Sequence, residues 1–397
     1  MRDPLEISKV FNNCEKSYIT NLSPDKRRIF SAITSCRTSK LGAHIRYCSS
    51  CRYQQQSYNS CRNRHCPKCQ GSISANWTEQ RNKELLPVEY FHSVFTIPKE
   101  LRSICYQNKK VFYEIMFRSV SETLRQVAAN PKFLGAEIGF ITILHTWNQK
   151  LDFHPHIHVI SPKGGLSIKD NSWISPKANF FLPVRALSKV YRGKLIDYLR
   201  QAYQGNKLSY FGSQLIFKER SEFEKLIGKS RKSNWVVYSK KSFGGATQVI
   251  KYLSSYVHRI AISNKRLRKI EKNKVSFSYR DSRNQNKKKI LTLDTKTFTS
   301  RFLLHALPRN FTRIRHYGFL GSAKKATALE QIRNLLLVSI TTKQKEVKPL
   351  DKRCPNCLEK TLKTVVLQTI PHSGSDFIKK TSNLYTTSPP CSAGLPA

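Results

Sequence analysis

Six cysteines fall between positions 36 and 69, in a polar stretch with few aliphatic residues. A segment of this composition buries too little apolar surface to fold around a hydrophobic core. Two Cys-x2-Cys pairs, Cys48 with Cys51 and Cys66 with Cys69, each present two thiols on one tight turn. Such pairs are typical of tetrahedral zinc sites. The sequence therefore predicts a metal-stabilised module over residues 36–72.

Two ligand sets are predicted within this module. The first binds a structural zinc, because four protein ligands leave no position open for a substrate, and consists of Cys48, Cys51, Cys66 and Cys69. The second is a further tetrahedral set made of Cys36, His44, Cys61 and His65. For Cys61 and His65, the alternative is ordinary packing and hydrogen bonding.

The charge of the chain indicates a polyanionic partner. With 70 Lys and Arg against 25 Asp and Glu among 397 residues, the net charge is +45, which favours nucleic acid. An apolar fraction of 39% excludes wholesale disorder.

No run of about 18 apolar residues is present, so no membrane partner is expected. The N-terminus lacks an apolar signal region, which predicts a reducing bacterial cytoplasm, near the nucleoid.

The histidine run His154-Pro155-His156-Ile157-His158 suggests a second kind of metal site. On a strand, His156 and His158 project to the same face, whereas Ile157 turns to the other. A preceding strand offers His145 as a third ligand, and His154 competes for that role. Three imidazoles would leave positions for water and a phosphate oxygen, as Lewis-acid activation of a phosphodiester requires. The alternative is an incidental pair of histidines.

Two tyrosines four residues apart, Tyr252 and Tyr256, lie in a predicted helix over residues 246–262 and share one helical face. Aromatic pairs at this spacing usually serve packing. Beside a bound metal they become candidate nucleophiles, favoured as phenolates by neighbours such as Lys251 and Arg259. No Gly-x4-Gly-Lys-Ser/Thr motif is present, so the chain has no P-loop.

The remaining patterns predict an α+β fold with an antiparallel sheet. Strands are expected at 90–98, 139–147, 154–160 and 235–238, the middle two as a hairpin, with helices near 103–130 and 184–204. The basic run at 264–290 is either a solvated loop or a phosphate-contacting segment. The tail from 351 is expected to be poorly ordered, and its pair Cys354 and Cys357 has only His372 or Cys391 as further ligands within that tail.

Several of these motifs together resemble the rolling-circle insertion-sequence transposases of the HUH endonuclease superfamily. They are the run at 154–158, the helix of Tyr252 and Tyr256, and the segment Ser60-Cys61-Arg62-Asn63-Arg64-His65-Cys66-Pro67-Lys68-Cys69-Gln70. The resemblance covers about residues 10–325. Together with the residue patterns, it predicts a helical segment at 1–35, the zinc module at 36–72 and a catalytic region at 88–325. The tail at 351–397 is expected to be truncated or divergent.

The resemblance implies a transposase that nicks one DNA strand by tyrosine attack, forming a 5′-phosphotyrosine and freeing a 3′-hydroxyl. Tyr252 and Tyr256 would be the nucleophiles, and His156 and His158, with His145, would hold Mg²⁺ or Mn²⁺ beside a structural Zn²⁺. Partners would be single-stranded DNA at transposon ends and host helicase or replication proteins. The expected DNA contacts are Arg62, Arg64, Lys68, Lys251 and Arg259. Alternatives are a plasmid relaxase or replication initiator, and a non-catalytic zinc-containing DNA-binding protein.

Overall fold

The computed structural model describes residues 4–170, 172–176, 181–241, 261–281, 284–336, 353–359 and 362–367. The chain forms two compact units, each built from two separate stretches of sequence. The first unit combines Met1–Phe30 with Arg64–Thr342, and the second combines Ser31–Asn63 with Lys343–Ala397. Residues 246–260 of the predicted tyrosine helix lie outside the described residues.

Ten α-helices occur among the described residues. They are α1 (Ile7–Asn12), α2 (Lys16–Thr20), α3 (Pro24–Ser35), α4 (Gln70–Lys83), α5 (Arg102–Gln107), α6 (Lys109–Ala129), α7 (Val184–Gln204), α8 (Arg220–Lys232), α9 (Thr295–Leu304) and α10 (Lys325–Leu335). The predicted helices near 103–130 and 184–204 are therefore confirmed by α5 with α6 and by α7.

Fourteen strands occur in the same parts of the chain. They are β1 (Ala43–Cys48), β2 (Gln54–Tyr58), β3 (Tyr90–Thr96), β4 (Ala136–Glu137), β5 (Phe140–Trp147), β6 (Phe153–Pro162), β7 (Gly165–Ser167), β8 (Trp173–Ile174), β9 (Val237–Lys241), β10 (Leu267–Ile270), β11 (Lys274–Asp281), β12 (Lys287–Asp294), β13 (Ile314–Tyr317) and β14 (Leu362–Leu367). The α+β prediction with antiparallel sheets is confirmed.

The centre of the first unit is a five-stranded antiparallel sheet in the order β13-β5-β6-β3-β9. Strands β5 and β6 form the predicted hairpin and occupy neighbouring positions. One face of the sheet packs against the long helices α6 and α7, and its core side chains include Phe95, Leu144, Ile157 and Val159. The alternation of side chains along each strand leaves the opposite face to a different set of residues.

That opposite face changes character along the strands. At one end Ile141, Ile143 and Ile160 join a second apolar cluster with Leu329 and Ile332 of α10. Toward the other end of the same face the strands carry histidines instead of aliphatic residues. The apolar end anchors the sheet, and the polar end is available for chemistry.

The basic run at 264–290 does not form a loop in the residues described. It contributes β10, β11 and the start of β12 to a three-stranded antiparallel sheet, with Lys288 opposite Arg280 and Ile290 opposite Ser278. Phe277 of this sheet packs against Phe298 of α9 with a ring-centroid distance of 5.7 Å. The interpretation as a solvated loop is therefore wrong, because one apolar face of the run is buried.

The second unit contains a three-stranded sheet in the order β14-β1-β2. Strand β14 comes from the tail that we expected to be poorly ordered, and all six of its residues pair with β1. That expectation is wrong for residues 362–367. The tail contributes an antiparallel neighbour that satisfies the backbone groups of β1 on one side.

Among the described residues, no helix is both long enough and apolar enough to cross a membrane.

Candidate functional site

Three histidines converge on the polar face of the five-stranded sheet. His145 of β5 lies directly opposite His156 of β6, and His158 follows on the same side of β6. One nitrogen from each of these imidazoles lies within 4.8 Å of the others. His145 is buried, whereas His156 and His158 are half-buried. The hairpin register therefore brings together the three histidines proposed from the sequence, which we call the histidine centre.

A hydrogen bond fixes the orientation of the His156 ring. Its Nδ1 lies 2.6 Å from the backbone carbonyl oxygen of His154. Because a carbonyl oxygen only accepts hydrogen bonds, Nδ1 carries the proton and Nε2 of the neutral ring keeps its lone pair. The nitrogen that faces the histidine centre is thus the one able to bind a metal.

A fourth histidine, not identified from the sequence, supports His158. His92 of β3 places its Nε2 2.8 Å from Nδ1 of His158, and the two rings stack with centroids 5.0 Å apart. When Nδ1 of His158 donates to His92, Nε2 of His158 turns a lone pair toward Nε2 of His156. His92 would have been found from the sequence only by knowing that β3 pairs with β6.

Burial keeps these rings neutral near pH 7. Desolvation lowers the pKa of His156 to about 4 and the pKa of His158 well below its usual value. It also lowers the pKa of His92 to about 4. Neutral imidazole is the form that binds a cation. His156 and His158 are therefore in their metal-binding protonation state at physiological pH.

The distances in the histidine centre suit a divalent cation. Nε2 of His156 and Nε2 of His158 are 3.1 Å apart. Two ligands at right angles, each about 2.1 Å from an ion, would be separated by about 3.0 Å. His154, the competing third ligand, instead has its Nδ1 2.8 Å from the guanidinium of Arg102. His145 is thus the third member that the geometry supports.

The prediction that Cys66 and Cys69 complete a metal site with Cys48 and Cys51 is wrong. Cys48 and Cys51 meet Cys354 and Cys357 of the same unit, and all four sulfurs lie within 4.8 Å of one another. We call this group the cysteine centre. The expectation that Cys354 and Cys357 depend on His372 or Cys391 is wrong for the same reason, since the antiparallel pairing of β14 with β1 brings their segment to Cys48.

The other predicted zinc ligands are distributed over both units. Cys36 and Cys61 belong to the second unit, and Cys66 and Cys69 to the first. His44 pairs its Nδ1 with the side-chain oxygen of Asn59 at 3.2 Å.

His65 likewise has a partner within its own unit: its Nε2 accepts a hydrogen bond from the backbone N–H of Leu307 at 3.1 Å. Burial, helped by nearby cations, lowers the pKa of His65 to about 3. Among the described residues neither His44 nor His65 belongs to a group that could hold a metal. Their predicted role in a second zinc set is therefore wrong.

Two of the side chains predicted to contact DNA instead bind other residues of the first unit. The guanidinium of Arg64 donates to the carbonyl oxygens of Phe311 and Pro308 at 2.6 and 2.5 Å. Lys68 forms an ion pair with Glu6 at 2.5 Å, and both side chains are mostly covered. These contacts correct the prediction for Arg64 and Lys68, because their charges already have protein partners.

Arg62, by contrast, is exposed in the second unit. The predicted residues Lys251, Tyr252, Tyr256 and Arg259 lie outside the described residues.

The edge strand β9 adds two residues that sequence reasoning missed. Tyr238 lies opposite Val94, which lies opposite His158, so the three occupy one row across the sheet. Tyr238 is 41% exposed, and the ammonium of Lys240 lies 5.4 Å from the centroid of its ring. An exposed aromatic ring and a cation therefore lie on the same face as the histidine centre.

Two family models match the chain in sequence order. Residues 7–97 match a model described as "Transposase zinc-binding domain", and residues 139–327 match one described as "Putative transposase". The second match contains all three members of the histidine centre, and the first contains Cys48 and Cys51 but not Cys354 or Cys357.

Two curated proteins share most of their length with the chain. A protein named "Putative transposase y4qJ" from Sinorhizobium fredii is 44% identical over 351 residues, which is 88% of each chain. The "Transposase for insertion sequence element IS801" from Pseudomonas savastanoi pv. phaseolicola is 27% identical over 72% of this chain and 68% of its own.

Among solved structures, the conjugative relaxase TrwC in complex with mutant OriT DNA aligns with 41% of this chain and 64% of its own, at 18% identity and a TM-score of 0.23. Its metal-bound complex with OriT DNA aligns with 45% of this chain and 65% of its own, at 16% identity and a TM-score of 0.24.

Identity with the curated transposases over most of both chains, together with the two ordered family matches, shows that the chain belongs to the IS91-type rolling-circle transposases with an N-terminal zinc-binding domain.

Proposed function

We propose that the protein nicks and rejoins single-stranded DNA at the ends of its insertion sequence through a 5′-phosphotyrosine intermediate. As a transposase of this family it acts on DNA. The observation that carries the proposal is the histidine centre, in which three imidazoles meet on one sheet face and the Nε2 atoms of His156 and His158 lie 3.1 Å apart. Three protein ligands leave open positions for water and a phosphate oxygen.

His145, His156 and His158 would hold Mg²⁺ or Mn²⁺. A bound cation would supply Lewis-acid stabilisation of the charge that develops on the scissile phosphate. The protein itself contributes rigid placement, because Ile157 and Val159, which alternate with the histidines on β6, are fully buried in the core on the other face. The histidines therefore cannot turn away without breaking the sheet register.

Tyr252 and Tyr256 are the proposed nucleophiles, an assignment that rests on the sequence. The phenolic oxygen would form a bond to phosphorus as the bond between phosphorus and the 3′-oxygen of the preceding nucleotide breaks. The phenol loses its proton, and the departing 3′-oxygen gains one. The new 3′-hydroxyl can then attack a second phosphotyrosine. The bond between phosphorus and that tyrosine oxygen breaks as the phosphodiester forms, and the proton lost by the hydroxyl returns to the phenol, so two tyrosines permit successive strand transfers.

His92 acts in this proposal as a positioning residue. By accepting a hydrogen bond from Nδ1 of His158, it would hold that ring with Nε2 directed at the cation. It lies on β3, two residues before the direct partner of His158, so its position follows from the same sheet.

The DNA strand is proposed to cross the sheet face toward β9. Tyr238 offers a surface on which a base can stack, and Lys240 offers a cation for the backbone. The outer face of the β10–β12 sheet carries exposed Arg280 and Lys288 in facing positions, which suits a longer stretch of the same strand. Strand separation is left to a host helicase or the replication machinery.

The test is covalent capture. The full chain is incubated with Mn²⁺ or Mg²⁺ and single-stranded oligonucleotides that span the element's ends, and protein–DNA adducts are resolved under denaturing conditions. We expect an adduct with wild type and none with the Tyr252→Phe/Tyr256→Phe double variant. DNA binding without any adduct would support the non-catalytic alternative. Adduct formation by the double variant would refute the tyrosine assignment.

The DNA path is tested separately by Tyr238→Ala and Tyr238→Phe. Base stacking on an aromatic ring contributes about 1–3 kcal/mol. We expect the alanine variant to bind the oligonucleotide at least about 5-fold more weakly, in line with that range. The phenylalanine variant keeps the ring and should bind like wild type. Equal binding by all three proteins would place the strand elsewhere.

A further inference from the structure

Cysteines from opposite ends of the chain lie against one another in the second unit. The sulfur of Cys48 is 3.5 Å from that of Cys357, and the sulfur of Cys51 is 3.5 Å from that of Cys354. A disulfide would bring each pair to about 2.05 Å. In a tetrahedral site with Zn–S bonds of about 2.3 Å, ligand sulfurs are about 3.8 Å apart. The observed separations are close to those of a four-thiolate metal site.

The two Cys-x2-Cys segments have the same backbone structure. In the first, the N–H of Arg52 donates to the carbonyl of Cys48 at 3.0 Å, and the N–H of Cys48 donates to the carbonyl of Tyr53 at 2.9 Å. In the second, Leu358 donates to Cys354 at 2.8 Å, and Cys354 donates to Glu359 at 2.7 Å.

Both turns also place the residue after the second cysteine in the left-handed region. Arg52 has φ of +60° and Leu358 has φ of +63°. Such a conformation is unfavourable for a side chain as bulky as leucine and persists only where its surroundings hold it. Two matching turns, facing each other through their sulfurs, form the two halves of a tetrahedral ligand set.

Further contacts hold the two halves in place. The backbone N–H of Asn356 points at the sulfur of Cys354 at 3.4 Å within one half. The hydroxyl of Ser50 joins the two halves by donating to a carboxylate oxygen of Glu359 at 2.5 Å. Cys48 and Cys354 are fully buried, and Cys51 and Cys357 are half-buried.

We infer that Cys48, Cys51, Cys354 and Cys357 bind one zinc ion, and that the C-terminal segment is therefore part of the zinc-binding domain. The matching family model ends at residue 97, so it supplies only half of this site. The metal would act as a crosslink between segments more than 300 positions apart in sequence, where a hydrophobic core is small. The inference does not depend on the proposed nicking activity.

Zinc stoichiometry tests the inference on the full-length chain. We expect Cys48→Ser/Cys51→Ser and Cys354→Ser/Cys357→Ser each to lose about one zinc per chain. The quadruple variant should lose no more than either double variant, because all four residues serve one ion. Cys14→Ser is the matched control, since Cys14 is half-buried in the first unit and belongs to no cysteine group among the described residues. Retention of wild-type zinc by the Cys354/Cys357 variant would overturn the inference.

Two measurements separate loss of a ligand from loss of folding. Cys357→His keeps four ligands and should retain the zinc that Cys357→Ala loses. Separately, wild type stripped of metal and treated with a mild thiol oxidant should form disulfides between Cys48 and Cys357 and between Cys51 and Cys354, identified by peptide mass spectrometry. Zinc-loaded protein should be protected from this oxidation. Crosslinks to other cysteines only, or equal oxidation with and without zinc, would contradict the site.

Discussion

The histidine centre and the cysteine centre bring together ligands in opposite ways. The three histidines lie within one hairpin, and the sheet register alone sets their spacing. The four cysteines lie on two similar turns from distant parts of the chain, and each turn is fixed by its own backbone hydrogen bonds. One centre is positioned by the register of a single hairpin, and the other by two local turns that the pairing of β14 with β1 brings together.

The two centres also differ in what they leave open. Three imidazoles on an accessible face provide an incomplete ligand set, which suits a cation that must also contact substrate. Four thiolates complete a tetrahedron and exclude a further ligand. We therefore propose that the first unit carries the chemistry and that the metal in the second unit stabilises the fold.

Removing one histidine should abolish the reaction and leave zinc in place. For His156→Ala we expect adduct formation to fall by about three orders of magnitude, about 4 kcal/mol of transition-state stabilisation, because the cation loses a ligand. The zinc content should equal that of wild type. Adduct yield and elemental analysis on the same preparation measure both quantities.

His154→Ala is the matched control for this experiment. His154 neighbours the centre in sequence, but its ring contacts Arg102, and its contact with His156 uses the backbone carbonyl, which alanine retains. We expect the His154→Ala variant to keep most of its activity. A loss as large as that of His156→Ala would mean that His154, not His145, completes the ligand set. Loss of zinc from His156→Ala would show that the two centres are not independent.

Chelation should affect the two centres at different rates. A carboxylate chelator in short dialysis is expected to remove the cation of the open histidine centre and reduce adduct formation at least about 100-fold. Zinc held by four partly buried thiolates should remain bound. Added Mn²⁺ should then restore activity without added zinc. Simultaneous loss of zinc and activity, reversed only by zinc, would contradict the division between the centres.

Loss of the supporting histidine should have a smaller effect than loss of a ligand. For His92→Ala we expect a 10- to 100-fold weaker affinity for Mn²⁺, as is typical when an outer hydrogen-bond partner is removed. High Mn²⁺ concentrations should recover most of the activity. The side-chain oxygen of Gln in His92→Gln can still accept a hydrogen bond from Nδ1 of His158, so this variant should show a smaller defect. Unchanged Mn²⁺ affinity in both variants would remove His92 from the site.

The sequence was informative where spacing along the chain equals spacing in the fold. Alternation on a strand predicts that His156 and His158 share a face, and a short turn predicts the approach of His145. The sequence could not predict that His92 lies beside His158, because the order of strands in a sheet depends on the packing of helices that are distant in sequence. The turn at Cys48 likewise indicates half of a zinc site, but nothing local indicates that Cys354 and Cys357 complete it.

The smallest predicted effect concerns acid stability of the first unit. His305 of this unit is fully buried, with Nδ1 3.2 Å from the hydroxyl of Thr146 and Nε2 3.1 Å from the carbonyl of Leu151. It therefore supports the strand end beside His145 and the turn of the same hairpin. Burial lowers the pKa of His305 to about 3.

In the unfolded chain this ring would bind a proton below about pH 6.5, whereas in the folded chain it stays neutral. The unfolded state then binds more protons, so the free energy of unfolding decreases as pH falls from about 6.5 toward 3. One such histidine changes the free energy of unfolding by at most about 1.4 kcal/mol per pH unit.

The measurement is urea unfolding at pH 7, 6 and 5. The free energy of unfolding should decrease less steeply with falling pH for His305→Gln than for wild type, even if the variant is less stable at pH 7. The cysteine centre contains no imidazole, so Cys357→Ser should leave the slope contributed by the first unit unchanged. An equal slope in His305→Gln and wild type would mean that His305 is not held neutral by its burial.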